Sequence, residues 1–198
     1  MRELTEMQLG ALREMGNIGA GNAATALSQL LSLKIDITVP GVRVIPLESV
    51  NTLGDLGEVR LALYLRAEGE TPGKAIFLMS TQCGEFIAKA LLRTDKSPDL
   101  FNDEIARSAI MEVGNVLVSS FLVALTNFSG IYMKSSVPAL SVDMLGAMLQ
   151  GIFVDSEEVG DTVLIIDTQF SGKSLIDGQF LFIPDGDALD RLLGVFGL

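Results

Sequence analysis

Glutamate and asparagine stand three residues apart twice in this chain, as Glu14-x2-Asn17 and Glu112-x2-Asn115. On a helix that spacing brings both side chains to one face. A carboxamide donates from one atom and accepts at another, so it can hold a water without needing a suitable pKa. The pair would therefore show one carboxylate and one carboxamide a single turn apart. The chain has no histidine, which removes imidazole acid–base chemistry and every His-containing metal site. Its one cysteine, Cys83, lies outside both pairs and can form no internal disulfide, which fits a reducing compartment.

The two phrases belong to a longer repetition. At an offset of 98 residues Glu14 meets Glu112, Gly16 meets Gly114, Asn17 meets Asn115 and Pro40 meets Pro138. Nine identities fall in the 37 positions from 9 to 45, where chance at background frequencies gives about two or three. The halves, 1–96 and 97–198, therefore read as duplicates. Each opens with a long helix, predicted over 5–32 (with Thr5 and Gln8 as a capping box) and 99–128. Extended segments follow at 34–46, 57–68 and 73–80, then at 131–138, 161–170 and 176–184. Shorter helices close the halves at 82–93 and 185–196. This is an α+β protein in which two related units share one β-sheet about a pseudo-two-fold axis, with the two long helices packed on it. No linker separates the units, so a single domain is expected.

The periodicity of the long helices sorts their residues. Leu12, Gly16, Gly19, Ala23, Ala26, Leu27 and Leu30 share one side of the first, and Ile110, Gly114, Leu117, Phe121, Ala124, Leu125 and Phe128 one side of the second. These are core stripes, on which glycine lets backbones approach. On the opposite side Gly10, Glu14, Asn17 and Gly21 lie within roughly 60° of one another, as do Ser108, Glu112, Asn115 and Ser119. Each helix thus offers solvent one carboxylate and one carboxamide, with small neighbours that leave room for another surface.

Composition narrows the partner. The net charge is −11 and the pI about 4.4, which repels nucleic acid and anionic membranes; protein partners with basic patches are expected, with no nucleic acid and no membrane. The chain is 48% hydrophobic, with mean hydropathy +0.44, enough for a sizeable core. The uncharged stretch from Val113 to Met133 contains Asn115, Ser119, Ser120, Thr126, Asn127 and Ser129, and reads as a buried helix rather than a membrane span. The first ten residues lack the apolar run of a signal peptide, so the expected location is cytoplasmic. Two phosphate-binding phrases are decoys. Gly19–Ala24 spells G-x-G-x-x-A inside a predicted helix instead of after a strand, and "DTQFSGKS" at 167 lacks the leading glycine and is followed by a strand. The acidic stretch near 155–161 reads as a solvated turn.

The doubled pattern Asp/Ser-x3-Glu-x2-Asn-x22-Pro resembles the CheC family of chemotaxis phosphatases. Ser108, Glu112, Asn115 and Pro138 match it fully; Glu14, Asn17 and Pro40 match it with Gly10 at the leading position. The resemblance covers essentially the whole chain. It implies hydrolysis of the aspartyl phosphate on the response regulator CheY, with catalytic residues Glu14, Asn17, Glu112 and Asn115. Asn would hold the attacking water and Glu would engage the regulator's active-site lysine. It implies no cofactor of the chain's own, since Mg²⁺ arrives with the phosphorylated regulator. It also implies binding of the receptor deamidase CheD. For that surface the stretch "DMLGAMLQGIF" is the candidate, read as a short helix over 142–151 with no helical counterpart in the first half. Asp143 would cap its first turn, and Met144 and Met148 would supply adaptable apolar contacts; the other reading of this stretch is an ordinary packed helix. The alternative is a non-catalytic FliM-like scaffold of the flagellar switch. Two complete Glu–Asn pairs speak against it, and the positions of Glu14 and Leu198 leave little room for the added segments of a switch protein. A one-site CheX relative is disfavoured by the duplication.

Overall fold

The computed structural model describes residues 4–154, 161–171 and 176–195, the side chains of 152–154, 176 and 177 excepted. The elements run α1 (Glu6–Leu31), β1 (Asp36–Pro46), a 3-10 helix (Leu47–Thr52), β2 (Val59–Gly69), β3 (Gly73–Ser80), α2 (Thr81–Leu92), α3 (Glu104–Ser129), β4 (Met133–Ser135), β5 (Ala139–Met144), α4 (Leu145–Val154), β6 (Thr162–Ser171), β7 (Ile176–Pro184) and α5 (Ala188–Gly194).

Side chains set where the long helices begin. Thr5 Oγ1 accepts from the Gln8 amide at 3.2 Å, and Gln8 Oε1 accepts from the Thr5 amide at 2.8 Å, forming the predicted capping box. α3 starts at Glu104, five residues later than predicted. Asp99 first turns the chain, its carboxylate accepting from the amides of Phe101 and Asn102 at 2.9 and 3.1 Å. Asp103 then caps the helix, accepting from the amides of Ile105 and Ala106.

Among the described residues all the strand pairings are antiparallel, in a seven-stranded sheet of order β1-β6-β7-β3-β2-β4, with β5 also paired to β2. The order is pseudo-two-fold. β3 and β7 pair at the centre, where Phe77 faces Phe180. Outside them lie β2 and β6, and each of these is bordered by the edge strand that follows the other long helix: β1 on β6, β4 and β5 on β2. The long helices cross over in the same way. A Cβ on Gly16 of α1 would stand 3.1 Å from Ile166 of β6, and one on Gly114 of α3 would collide with Leu63 of β2. Packing on the sheet therefore leaves little room for a side chain at position 16 and none at 114 unless Leu63 moves.

The two prolines of the repeat both sit where an edge strand breaks register. Thr38 faces Gln169 and Gly41 faces Asp167, so three steps on β1 span two on β6, with Pro40 in the bulge. Across Pro138, Ser135 faces Ala67 while Ala139 faces Tyr64, again one residue extra. Proline has no amide to give the ladder and is confined to such places. The expected strand over 131–138 is for this reason only Met133–Ser135, and pairing resumes as β5. The predicted helix over 142–151 likewise moves: Asp143 and Met144 end β5, and α4 begins at Leu145. Asp143 is thus not a helix cap. Its counterpart region is also helical, since Leu47–Thr52 forms a 3-10 turn.

Apolar side chains fill both faces of the sheet. On one, Leu61, Leu63, Leu65, Phe77, Phe180, Phe182, Leu164 and Ile166 pack under α1, α2, α3 and α5. On the other, Ile76, Leu78, Val163, Ile165, Leu181 and Ile183 pack under the 3-10 helix and α4. α3 is long and apolar enough to cross a membrane, but Ile110, Val113, Leu117, Phe121 and Leu125 are buried in the core. It is the core helix expected from the polar residues within it.

Candidate functional site

Glu14 and Asn17 lie in the middle of α1, and both are exposed. Glu112 is exposed and Asn115 half-buried in the middle of α3. The buried side of each helix fixes this outcome. Leu12, Met15, Gly16, Gly19, Ala20, Ala23 and Leu27 turn α1 into the core, and the helix period leaves Glu14 and Asn17 facing out. α1 and α3 also pack closely on each other: a Cβ on Gly19 would stand 3.1 Å from the Phe121 Cα. Phe121 in turn stacks on Phe180 with ring centroids 4.8 Å apart. The helices that carry the two pairs are therefore seated on the sheet and on each other.

The glycines of the exposed stripe behave differently from those of the core. A Cβ added to Gly10 or Gly21 would meet nothing within 4 Å. Each glycine costs an exposed helix about 1 kcal/mol relative to alanine, and packing within this chain does not require it. Their effect is clearance around Glu14 and Asn17. On α3 the equivalent positions are Ser108 and Ser119, and the Ser119 hydroxyl donates to Asn115 Oδ1 at 3.3 Å. That bond was not read from the sequence, where Ser119 figures only as a small neighbour; the i, i+4 spacing of two polar residues is the signal for it.

Other chemistry is poorly supplied here. Cys83 is buried, and burial pushes its thiol up to about 12, so it stays protonated and unreactive near neutral pH. Among the described residues no group of three or more His, Cys, Asp or Glu could hold a metal ion. The G-x-G-x-x-A phrase lies within α1, as expected of a decoy. The acidic stretch near 155–161 lies outside the described residues except for Asp161, and the "SGKS" of the second decoy lies largely outside them.

The third group is Asp143, Met144 and Met148. Asp143 and Met144 are exposed at the end of β5, and Asp143 faces Arg60 across the β2–β5 ladder. Asp143 and Met148 both line a cavity of ≈ 320 Å³ between α4 and the sheet, along with Ala62, Ile76, Leu78 and Leu181. Lys74, Tyr64 and Ser141 line it as well, and Met144 does not, so the cavity brings Asp143 and Met148 together without Met144.

The fold places the chain in a known structural class. FliY of Thermotoga maritima superimposes with a TM-score of 0.77 at 22% identity, over 99% of this chain and 98% of that one. The FliM middle domain from H. pylori gives 0.72 at 10% identity, over 97% and 99%. These two likenesses show the fold alone. Sequence similarity is more specific. A family model described as the CheC-like family matches residues 7–44, which include Glu14, Asn17 and Pro40. The CheY-P phosphatase CheC of Bacillus subtilis is 33% identical over 200 residues, 98% of this chain and 96% of that protein. The chain belongs to the CheC-like family.

Proposed function

We propose that the chain is a chemotaxis phosphatase that hydrolyses the aspartyl phosphate of CheY, using Asn17 and Asn115. The observation that carries this reading is the doubled, outward-facing Glu–Asn pair on two core-seated helices, in a chain whose full-length relative bears the name CheY-P phosphatase. The phosphorylated regulator brings its own Mg²⁺ and lysine to the phosphoryl group; this chain contributes a positioned water and a docking surface. Asn17 or Asn115 holds the water in line with the P–O bond to the aspartate. Water oxygen bonds to phosphorus as that bond breaks, which restores the aspartate carboxylate and releases inorganic phosphate carrying both of the water's hydrogens. In such a transfer positioning and electrostatics supply most of the catalysis, so no nucleophile on this chain is needed. Glu14 and Glu112 engage the regulator's lysine and fix the approach. On this reading the chain works in the cytoplasm as one domain of two repeats, 1–96 and 97–198, with each repeat completing the other's sheet.

The direct test is the decay of phosphorylated CheY in Mg²⁺ with and without the purified protein. Faster release of phosphate at substoichiometric protein supports the reading; an unchanged decay rate refutes it.

The family resemblance also suggests CheD as a partner. Its surface is proposed at Asp143, Met144 and Met148, apart from both Glu–Asn pairs, with the carboxylate and the adaptable methionines as the contacts. Asp143→Lys is then expected to abolish capture of CheD in a pull-down, and with it any stimulation by CheD. A folded variant that still captures CheD assigns this region to packing instead.

A further inference from the structure

Eleven large apolar side chains stand exposed among the described residues. Scattered singly, such residues need no explanation. Met7 and Ile105 are an exception: they are each other's counterparts at the 98-residue offset, and no other two of the eleven are. Their exposures are 69% and 68%. Each is the second residue of its long helix, held in a first turn that a side chain caps, Thr5 in one case and Asp103 in the other. Each first turn is thus held by a cap, which fixes where the side chain leaves the helix.

The position is also the right one. Met7 precedes Glu14 by seven residues and Ile105 precedes Glu112 by seven. Two helical turns bring the side chain back to within about 20° of the glutamate and set it about 10 Å along the axis. The stripe then reads, from the helix start, apolar knob, small residue, carboxylate, carboxamide, small residue, in both helices. On α1 the small residues are Gly10 and Gly21, where an added Cβ would meet nothing of this chain. The surface is shaped toward something outside it.

We propose that Met7 and Ile105 are apolar anchors of two equivalent docking surfaces for the receiver domain of the phosphorylated regulator. This rests on the phosphatase reading, which puts that receiver's phosphoryl group and lysine over the Glu–Asn pair. Continuity along one helix face then lays the receiver's adjoining surface over the anchor. The anchor supplies the apolar burial that a charged, water-filled reaction centre lacks, and it is made equally in ground state and transition state. Its loss is therefore expected in KM rather than kcat.

The test is steady-state hydrolysis of phosphorylated CheY by wild type, by the double variant Met7→Ser/Ile105→Ser and by Met7→Leu/Ile105→Leu, with circular dichroism as the folding control. The serine variant is expected to raise KM about tenfold, the size of losing one well-buried aliphatic contact, with kcat close to wild type. The leucine variant should keep the wild-type KM. An active wild type whose serine variant has an unchanged KM overturns the anchors and leaves the phosphatase reading standing. So does a serine variant that alters only self-association in sedimentation velocity, which would assign the patch to a second copy of the chain. A wild type without activity overturns both.

Discussion

The two Glu–Asn pairs present the same chemistry under different constraint. On α1, Asn17 is exposed and followed one turn later by Gly21, so its carboxamide is free to rotate. On α3, Asn115 is half-buried and its oxygen accepts from Ser119 at 3.3 Å. The support beneath also differs. Val39 next to Pro40 is 4% exposed and packs close to Gly16, whereas its counterpart Val137 next to Pro138 is 86% exposed. A water-positioning group works best when its own rotors are fixed before the partner arrives, because that ordering then does not oppose docking. By the Ser119 bond and its half-burial, the asparagine of α3 is the preorganised one, although the edge strand packs more tightly beside α1. The two halves match at the Glu and Asn side chains and differ in what surrounds them.

The largest effect is expected from the carboxylates, where both pairs should behave alike. Glu14→Lys with Glu112→Lys sets a cation against the regulator's lysine. It should weaken binding of beryllofluoride-activated CheY by at least about tenfold, against less than about threefold for Asn17→Ala with Asn115→Ala. Equal weakening in a titration would remove Glu from docking.

The asparagines separate the pairs. Asn115→Ala should cost about half of kcat or more, and Asn17→Ala a smaller share, since positioning groups in phosphoryl transfer act through orientation. A silent Asn115→Ala beside an inactive Asn17→Ala would reverse the ranking. A smaller change sharpens the reason for it. Ser119→Gly should lower turnover at the α3 pair about two- to threefold by freeing Asn115, and Gly21→Ser, made in an Asn115→Ala background, should raise turnover at the α1 pair by a similar factor. If neither moves kcat, the Ser119 bond has no part in catalysis. The smallest effect is on stability. Because a Cβ at Gly21 meets nothing within 4 Å, Gly21→Ser should stabilise α1 by about 0.5 kcal/mol, a rise of roughly 1–2 °C in Tm for a chain of this size.

Much of this architecture was legible in the residues. The 98-residue offset and the helix period together predicted two seated helices with outward Glu–Asn pairs, and α1 and α3 have that form. The capping box at Thr5 was readable because it is local chemistry between neighbours. What failed depended on tertiary pairing. Pro138 was read as ending a strand, but β2 offers a further ladder to residues 139–144 and draws Asp143 out of the helix predicted for it. Asp99 was read into a helix because a turn held by its own carboxylate carries no apolar period. The exchange of edge strands between the halves could not be read at all, since strand order is set by non-local packing. At the pairs themselves, residue types and spacing gave the candidates, while the asymmetry lay in one hydroxyl and the burial around it.

The central claim is that two asparagines position the water. Its most direct measurement is single-turnover phosphate release from phosphorylated CheY, at saturating protein, for folded Asn17→Ala/Asn115→Ala against wild type. The account requires binding of activated CheY to persist while the accelerated release falls nearly to the rate of CheY alone. A double variant that binds and still releases phosphate at the wild-type rate would contradict it.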